Sequence, residues 1–198
     1  MITNKKNLLR LASILTFLFF GVNSATSQIA KGTVRLGPQL AYSNVSQDIN
    51  GFTEKFITTT LNLQLSGGYY VIDNLELGLG LQLASTANKV GSDENRESGI
   101  IIGPNVTYMI PIGEKFYLPI FGGIGYNSLR IDDNFVESTL SGIGYGVGVG
   151  AEYLISNKIG ARFSLIHNTG SLQIDDSDLK LDVSSTQVGI GFNIYLNR

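Results

Sequence analysis

The sequence predicts an all-β fold, an eight-stranded antiparallel up-and-down transmembrane β-barrel. The clearest observation is the segment Leu75 to Leu83, where every odd position is Leu and every even position is Glu, Gly or Gln. Alternation with a period of two is typical of a β-strand. The same pattern recurs along most of the chain and ends in the segment Val188 to Leu196. Repeated apolar faces favour a closed barrel in lipid, because a closed sheet leaves no backbone group unpaired there.

Composition excludes several classes of function. The 198-residue chain has the length of one domain, with 24 Gly, one His and no Cys. The absence of Cys excludes a disulfide framework, a thiolate metal site and a lipid-modified N-terminal Cys. The formal net charge of -2 gives no reason to expect nucleic acid as a partner. We predict no cofactor and no metal site.

The chain is expected to divide into a cleaved signal peptide, residues 1–27, and a barrel domain, residues 28–198. The apolar run 11–22 is preceded by three positive residues, Lys5, Lys6 and Arg10. Small residues at 25–27 suit the cleavage positions, and the apolar run is shorter than the roughly 20 residues of a spanning helix. An uncleaved anchor is the alternative. Cleavage would leave a charge of about -5, that is, -2 minus the three positive charges removed.

The predicted strands are joined by connections that alternate between long and short. They span residues 33–43, 58–71, 75–83, 99–110, 116–130, 142–155, 159–168 and 188–196. Tight turns near 73, 113 and 156 would share one rim of the barrel with both termini. The long polar connections near 50, 93, 134 and 176 would share the other rim.

Prolines interrupt three of these strands. The Gly-Pro pairs at 37–38 and 103–104 predict equivalent β-bulges, because proline cannot donate to a ladder hydrogen bond. Pro119 leaves the register of the fifth strand ambiguous.

The strand pattern, the Gly-rich sixth strand and the C-terminal segment Gly189 to Leu196 resemble a known family. They are similar to the small eight-stranded outer-membrane barrels of the OmpA/OmpX type, and more closely to the outer-membrane β-barrel domain proteins of Bacteroidetes. The resemblance covers the whole mature chain, although this chain ends Leu196-Asn-Arg198 where such families end on Phe.

The resemblance implies a monomer in a Gram-negative outer membrane, surrounded by lipid and lipopolysaccharide and inserted by the barrel-insertion machinery. Both termini and the short turns would be periplasmic, and the long loops would be extracellular.

Four charged residues face the interior in this register: Arg35, Glu76, Glu152 and Arg162. All lie near the rim with the short turns, where two positive and two negative groups could neutralise one another. The interior of an eight-stranded barrel is just wide enough for side chains to fill. We therefore predict a structural plug, with a gated proton or ion path as the alternative. Inward glycines on the sixth strand would make room for longer neighbouring side chains.

The long connections are acidic. They contain twelve of the sixteen acidic residues and four basic ones, so the outer rim should carry about -8. The acidic residues are Asp48, Glu54, Asp93, Glu94, Glu97, Asp132, Asp133, Glu137, Asp175, Asp176, Asp178 and Asp182. Asp175 to Asp178 lacks the spacing of an EF-hand calcium loop. We interpret this rim as a solvated surface, which divalent ions could bridge to lipopolysaccharide.

Aromatic residues are expected to form girdles at the two membrane interfaces. The candidates are Tyr69, Phe116 and Tyr153 near the short turns, and Tyr42, Tyr126 and Tyr145 toward the long connections.

One residue, His167, argues for an enzyme. It faces lipid near the outer end of the seventh strand, with Thr169 two residues on. Outer-membrane lipid A deacylases carry a His-x-Ser-Asn pattern there, and His167-Asn-Thr169-Gly is similar, with Thr in place of the nucleophilic Ser. A secondary hydroxyl is a hindered nucleophile, and no partner carboxylate is identifiable.

The glycine run 142–150 does not predict a nucleotide site, since no helix follows it. We therefore predict no catalytic residue, and a structural, envelope or surface-adhesion role through acidic extracellular loops toward an unidentified ligand. The alternatives are a lipid A-modifying enzyme that uses His167, and a periplasmic lipocalin-like binding barrel with an apolar interior.

Overall fold

A computed structural model shows a closed, all-antiparallel β-barrel. It describes residues 28–48, 55–90, 93–133, 136–174 and 180–198, so the predicted signal peptide lies outside the described residues. The strands are β1 (Val34–Asp48), β2 (Lys55–Ile72), β3 (Leu75–Val90), β4 (Asp93–Pro111), β5 (Phe116–Asp133), β6 (Val136–Ser156), β7 (Ile159–Ile174) and β8 (Lys180–Leu196). Each strand pairs with the next, and β8 pairs with β1. The predicted fold class and all eight strands are confirmed. No helix in the described part of the chain is long and apolar enough to cross a membrane.

The apolar face of each strand points outward. On β3, Leu77 and Leu79 are 52% and 67% exposed, whereas Glu76 between them is fully buried. All six predicted girdle aromatics also point outward and are exposed. In water this surface would be unfavourable by roughly 25 cal/mol per Å², whereas lipid covers it. The lipocalin-like alternative required these side chains inside and is wrong.

The strands extend beyond their predicted ends at the acidic rim. β3 continues to Val90 and β4 begins at Asp93, although residues 89–97 were predicted to be a loop. Eight acidic residues predicted in loops are strand residues instead: Asp48, Asp93, Glu94, Glu97, Asp132, Asp133, Glu137 and Asp182. The other four lie outside the described residues, as does the run Asp175 to Asp178. Loss of hydrophobic alternation marks the end of the lipid-facing band, because backbone pairing continues into water regardless of side-chain polarity.

The predicted bulges at the Gly-Pro pairs are wrong. On the two sides of Pro38, Leu36 pairs with Ile194 and Gln39 pairs with Gly191, so both strands advance by the same three residues. The ladder skips Pro104 and Pro119 in the same way, with no change of register. A missing N–H removes a hydrogen bond without inserting a residue. The register shifts occur beside two tight turns instead, at 70–72 and 154–156.

Candidate functional site

The four inward charges lie together at the rim with the tight turns, and we call them the charge cluster (Arg35, Glu76, Glu152 and Arg162). Arg35 binds Glu76 in a bidentate pair, with Nε 2.6 Å from Oε2 and Nη2 2.8 Å from Oε1. Paired hydrogen bonds of this kind are among the strongest in proteins. Arg162 Nε donates to Glu152 Oε2 over 2.9 Å. All four residues are buried.

Two residues of β8 join these ion pairs into one network. Asn193 accepts from Arg35 Nη1 through Oδ1 and donates to Glu152 Oε2 through Nδ2, both over 2.7 Å. The hydroxyl of Tyr195 donates to the other oxygen of Glu152. The sequence interpretation missed both residues as members of the cluster. Their alternation along β8 places them on its inward face, which was the available signal.

Glycines provide the space that the charged side chains occupy. A Cβ on Gly68 would collide with the Glu76 carboxylate, and one on Gly160 would collide with that of Glu152. On β6 the predicted role of glycine is confirmed, because Cβ atoms at 144, 146 and 148 would collide with Asn127, Asn168 and Phe121. These five inward glycines therefore accommodate longer side chains from neighbouring strands.

Substituting Gly160 with Ala is expected to destabilise the barrel by about 1–3 kcal/mol, the usual effect of overpacking. The added methyl group would meet a carboxylate that is held by Arg162, Asn193 and Tyr195 and has little freedom to move. Denaturant unfolding of the refolded barrel measures the change. Gly113→Ala is the matched control, since its Cβ would meet nothing within 4 Å. Equal stability of the two variants would contradict this packing role.

An apolar floor closes the barrel below the charge cluster. It is formed by six buried residues, Ile29, Tyr70, Met109, Tyr117, Leu154 and Tyr195. Ile29 belongs to the segment before β1, which is anchored on the turn between β2 and β3. Ile29 N donates to Asn74 Oδ1 and Asn74 N donates to Ile29 O, both over 2.9 Å. Asn74 has φ 63°, a left-handed conformation that Asn adopts more readily than most residues.

Above the charge cluster, a chain of carboxamides lines β1, β2, β3 and β8. Each member donates to the next over 2.9–3.1 Å, in the order Gln39, Gln64, Gln82, Asn62 and Gln187. Glycines and three asparagines, Asn105, Asn127 and Asn168, line the opposite side. Between the two walls lies a cavity of about 300 Å³.

Polar pairs continue beyond the apolar band. Asn88 Nδ2 donates to Glu97 Oε1 over 2.7 Å, and Thr58 donates to Asn88 over 2.9 Å. Burial raises the pKa of Glu97, while the hydrogen bond from Asn88 opposes that rise. At this end of the barrel, side chains of β2, β3 and β4 are therefore joined by hydrogen bonds.

His167 lies outside the lumen, exposed on β7. Its Nδ1 is 3.0 Å from Thr186 Oγ1 on β8. Thr169 lies two residues further along the same strand and pairs with Ser184, whereas the hydroxyl that contacts His167 is that of its own ladder partner, Thr186. Among the described residues, no group of three or more His, Asp or Glu side chains is placed to hold a metal ion.

Comparison with known proteins assigns the family. The sequence model described as "Outer membrane protein beta-barrel domain" matches residues 12–193. This chain belongs to that family. Membership indicates an outer-membrane location for this β-barrel domain protein. No curated protein sequence matches it.

Solved structures show the same fold for this outer-membrane β-barrel domain protein. Neisserial surface protein A aligns with a TM-score of 0.61 at 15% identity, over 83% of this chain and 99% of that one. OprG from Pseudomonas aeruginosa aligns with a TM-score of 0.57 at 14% identity, over 85% and 98%. Ail, the attachment invasion locus protein of Yersinia pestis, aligns with a TM-score of 0.50 at 13% identity, over 83% and 99%. Similarity at these identities concerns the fold alone.

Proposed function

We propose that this outer-membrane barrel is a non-enzymatic envelope protein with a sealed lumen, which presents an acidic surface outside the cell. The observation that carries the proposal is the charge cluster above its apolar floor. Two arginines and two glutamates neutralise one another there, and Ile29 closes the space beneath them. A conducting barrel would instead need a continuous hydrated path.

The proposed orientation places both termini and the tight turns in the periplasm. Residues 1–27 would serve as the signal peptide, and cleavage before Gln28 would leave the anchored segment at Ile29 intact. The opposite rim would then present its acidic residues to the exterior. An adhesive role draws support from Ail, whose name is attachment invasion locus protein and whose structure contains a heparin analogue. For this chain the net negative rim favours a cationic partner or divalent ions bridged to lipopolysaccharide.

The enzymatic alternative has one supporting contact, the hydrogen bond between His167 and Thr186. An activated nucleophile usually needs a base that is itself oriented by a third group. No carboxylate among the described residues forms a hydrogen bond with His167. If the protein were such an enzyme, its overproduction would alter the acyl chains of lipid A, and unchanged acyl chains would exclude this alternative.

Planar bilayer recording tests the sealed lumen. The refolded wild-type barrel is expected to insert without stepwise conductance, and unboiled protein should show a heat-dependent shift in gel mobility that proves folding. Reproducible conductance steps from the heat-modifiable fraction would overturn the proposal. Adhesion is tested separately by comparing the binding of cells to cationic surfaces when the rim aspartates are intact or replaced with Asn.

A further inference from the structure

The cavity between the carboxamide chain and the glycine wall is large, and its surface combines glycine backbone and apolar side chains with a smaller share of polar groups. Its volume of about 300 Å³ far exceeds the ~10–15 Å³ that one water molecule requires on a comparable measure. The charge cluster forms one end of the cavity, so access from that side is closed. A solute would reach it from the acidic rim.

Among the described residues that line the cavity, no charge is uncompensated. The Arg35 guanidinium donates to Glu76, Ser66 and Asn193. The Arg162 guanidinium donates to Glu152 and approaches the Phe121 ring at 5.9 Å. An ion entering the cavity would lose its hydration without gaining an opposite charge, which is strongly unfavourable. A neutral solute avoids this penalty.

Hydrogen-bonding capacity remains unused around the cavity. Each carboxamide has two donor hydrogens and two acceptor lone pairs, and each chain contact between neighbouring members uses one donor and one lone pair. Asn105 Oδ1 and Asn168 Nδ2 are buried and have no partner among the described residues. One is an acceptor and the other a donor. Buried polar atoms of this kind normally have a partner. Both residues line the cavity, so rotation of either side chain would turn its unpartnered atom toward a hydroxyl group there.

We propose that the cavity binds a neutral polyhydroxyl solute, no larger than about one monosaccharide. The proposal goes beyond the envelope role, because it assigns the lumen a ligand whether or not the rim adheres to anything. The carboxamide chain would hold the hydroxyl groups along one wall. On the other wall, rotated side chains of Asn105 and Asn168 would bring their unpartnered atoms to the solute.

Equilibrium dialysis with radiolabelled glucose tests the proposal, using full-length mature protein refolded in a detergent without a sugar headgroup. Wild type is expected to bind glucose saturably. Glucuronate and glucosamine, charged molecules of similar size, should compete at least about tenfold more weakly. Absence of saturable binding by wild type would overturn the proposal and leave water as the occupant.

A pair of glycine variants locates the site. Gly80 lines the cavity, and a Cβ there would meet only Asn105 Nδ2 at 3.3 Å and the Gly103 carbonyl oxygen at 3.9 Å. Gly80→Leu should therefore fill the cavity and abolish binding. The control, Gly67→Leu, adds the same side chain one ladder pair away on the lipid face and should bind normally. Heat-dependent gel mobility verifies that each variant is folded. Should Gly80→Leu misfold, Asn168→Leu replaces it and is expected to weaken binding. Binding that survives in the folded variant would place the site elsewhere and refute the proposal.

Discussion

Substitution of Glu152 with Ala is expected to lower the free energy of unfolding by about 3–5 kcal/mol, the range for breaking a buried ion pair by removing one partner. Glu152 is fully buried and accepts hydrogen bonds from Arg162, Asn193 and Tyr195. Its loss leaves the Arg162 guanidinium as a buried, uncompensated charge. Denaturant titration of the barrel refolded into liposomes, followed by gel mobility and tyrosine fluorescence, measures the change.

Two further variants separate the charge from the packing. Glu114→Ala removes a carboxylate from an exposed position between β4 and β5 and should change stability by no more than ~0.5 kcal/mol. Glu152→Gln keeps the shape but not the charge, so it should fall between wild type and Glu152→Ala. If Glu152→Gln matched wild type, the cluster would be held by hydrogen bonding alone and its charge balance would be irrelevant.

The fold could be predicted from the sequence because the membrane imposes one rule on every strand. Alternation places Leu79 outward and Glu76 inward whatever the neighbours are, and eight such segments with tight turns leave little choice but an antiparallel barrel. The ends of the strands were not predictable in the same way. Beyond the lipid both faces can be polar, so residues 93–97 carry no alternation to distinguish a strand from a loop.

The charge cluster was accessible from period-two counting, but its wiring was not. The sequence shows that Arg35 and Glu76 face inward, but it cannot show which glutamate forms an ion pair with which arginine. The pairing follows from the ladder, which places Glu152 directly opposite Arg162 and brings Asn193 between the two ion pairs.

The role of Ile29 could not be predicted for a different reason. This residue precedes the first strand and carries no periodic signal, and its role depends on the side-chain oxygen and backbone N–H of Asn74 in a distant turn.

Introducing Arg at Leu79 is expected to destabilise the barrel by about 2–4 kcal/mol in a bilayer, the range for a positive side chain at the membrane midplane of a β-barrel. Leu79 stands at the centre of the leucine stripe of β3 and is its most exposed member, at 67%. The guanidinium would have to reach several residues along the wall to contact water. Unfolding titrations in phosphatidylcholine liposomes measure the effect.

Leu83→Arg is the matched control, because it makes the same change on the same face of β3. Leu83 is the last leucine of the stripe before Ser85, so its side chain can extend toward the interface, and a change of about 0–1 kcal/mol is expected. The comparison depends on depth alone, since both residues point away from the lumen. Equal effects at the two positions would mean that no lipid midplane lies at Leu79, and the outward stripe would then have to be covered by protein instead of membrane.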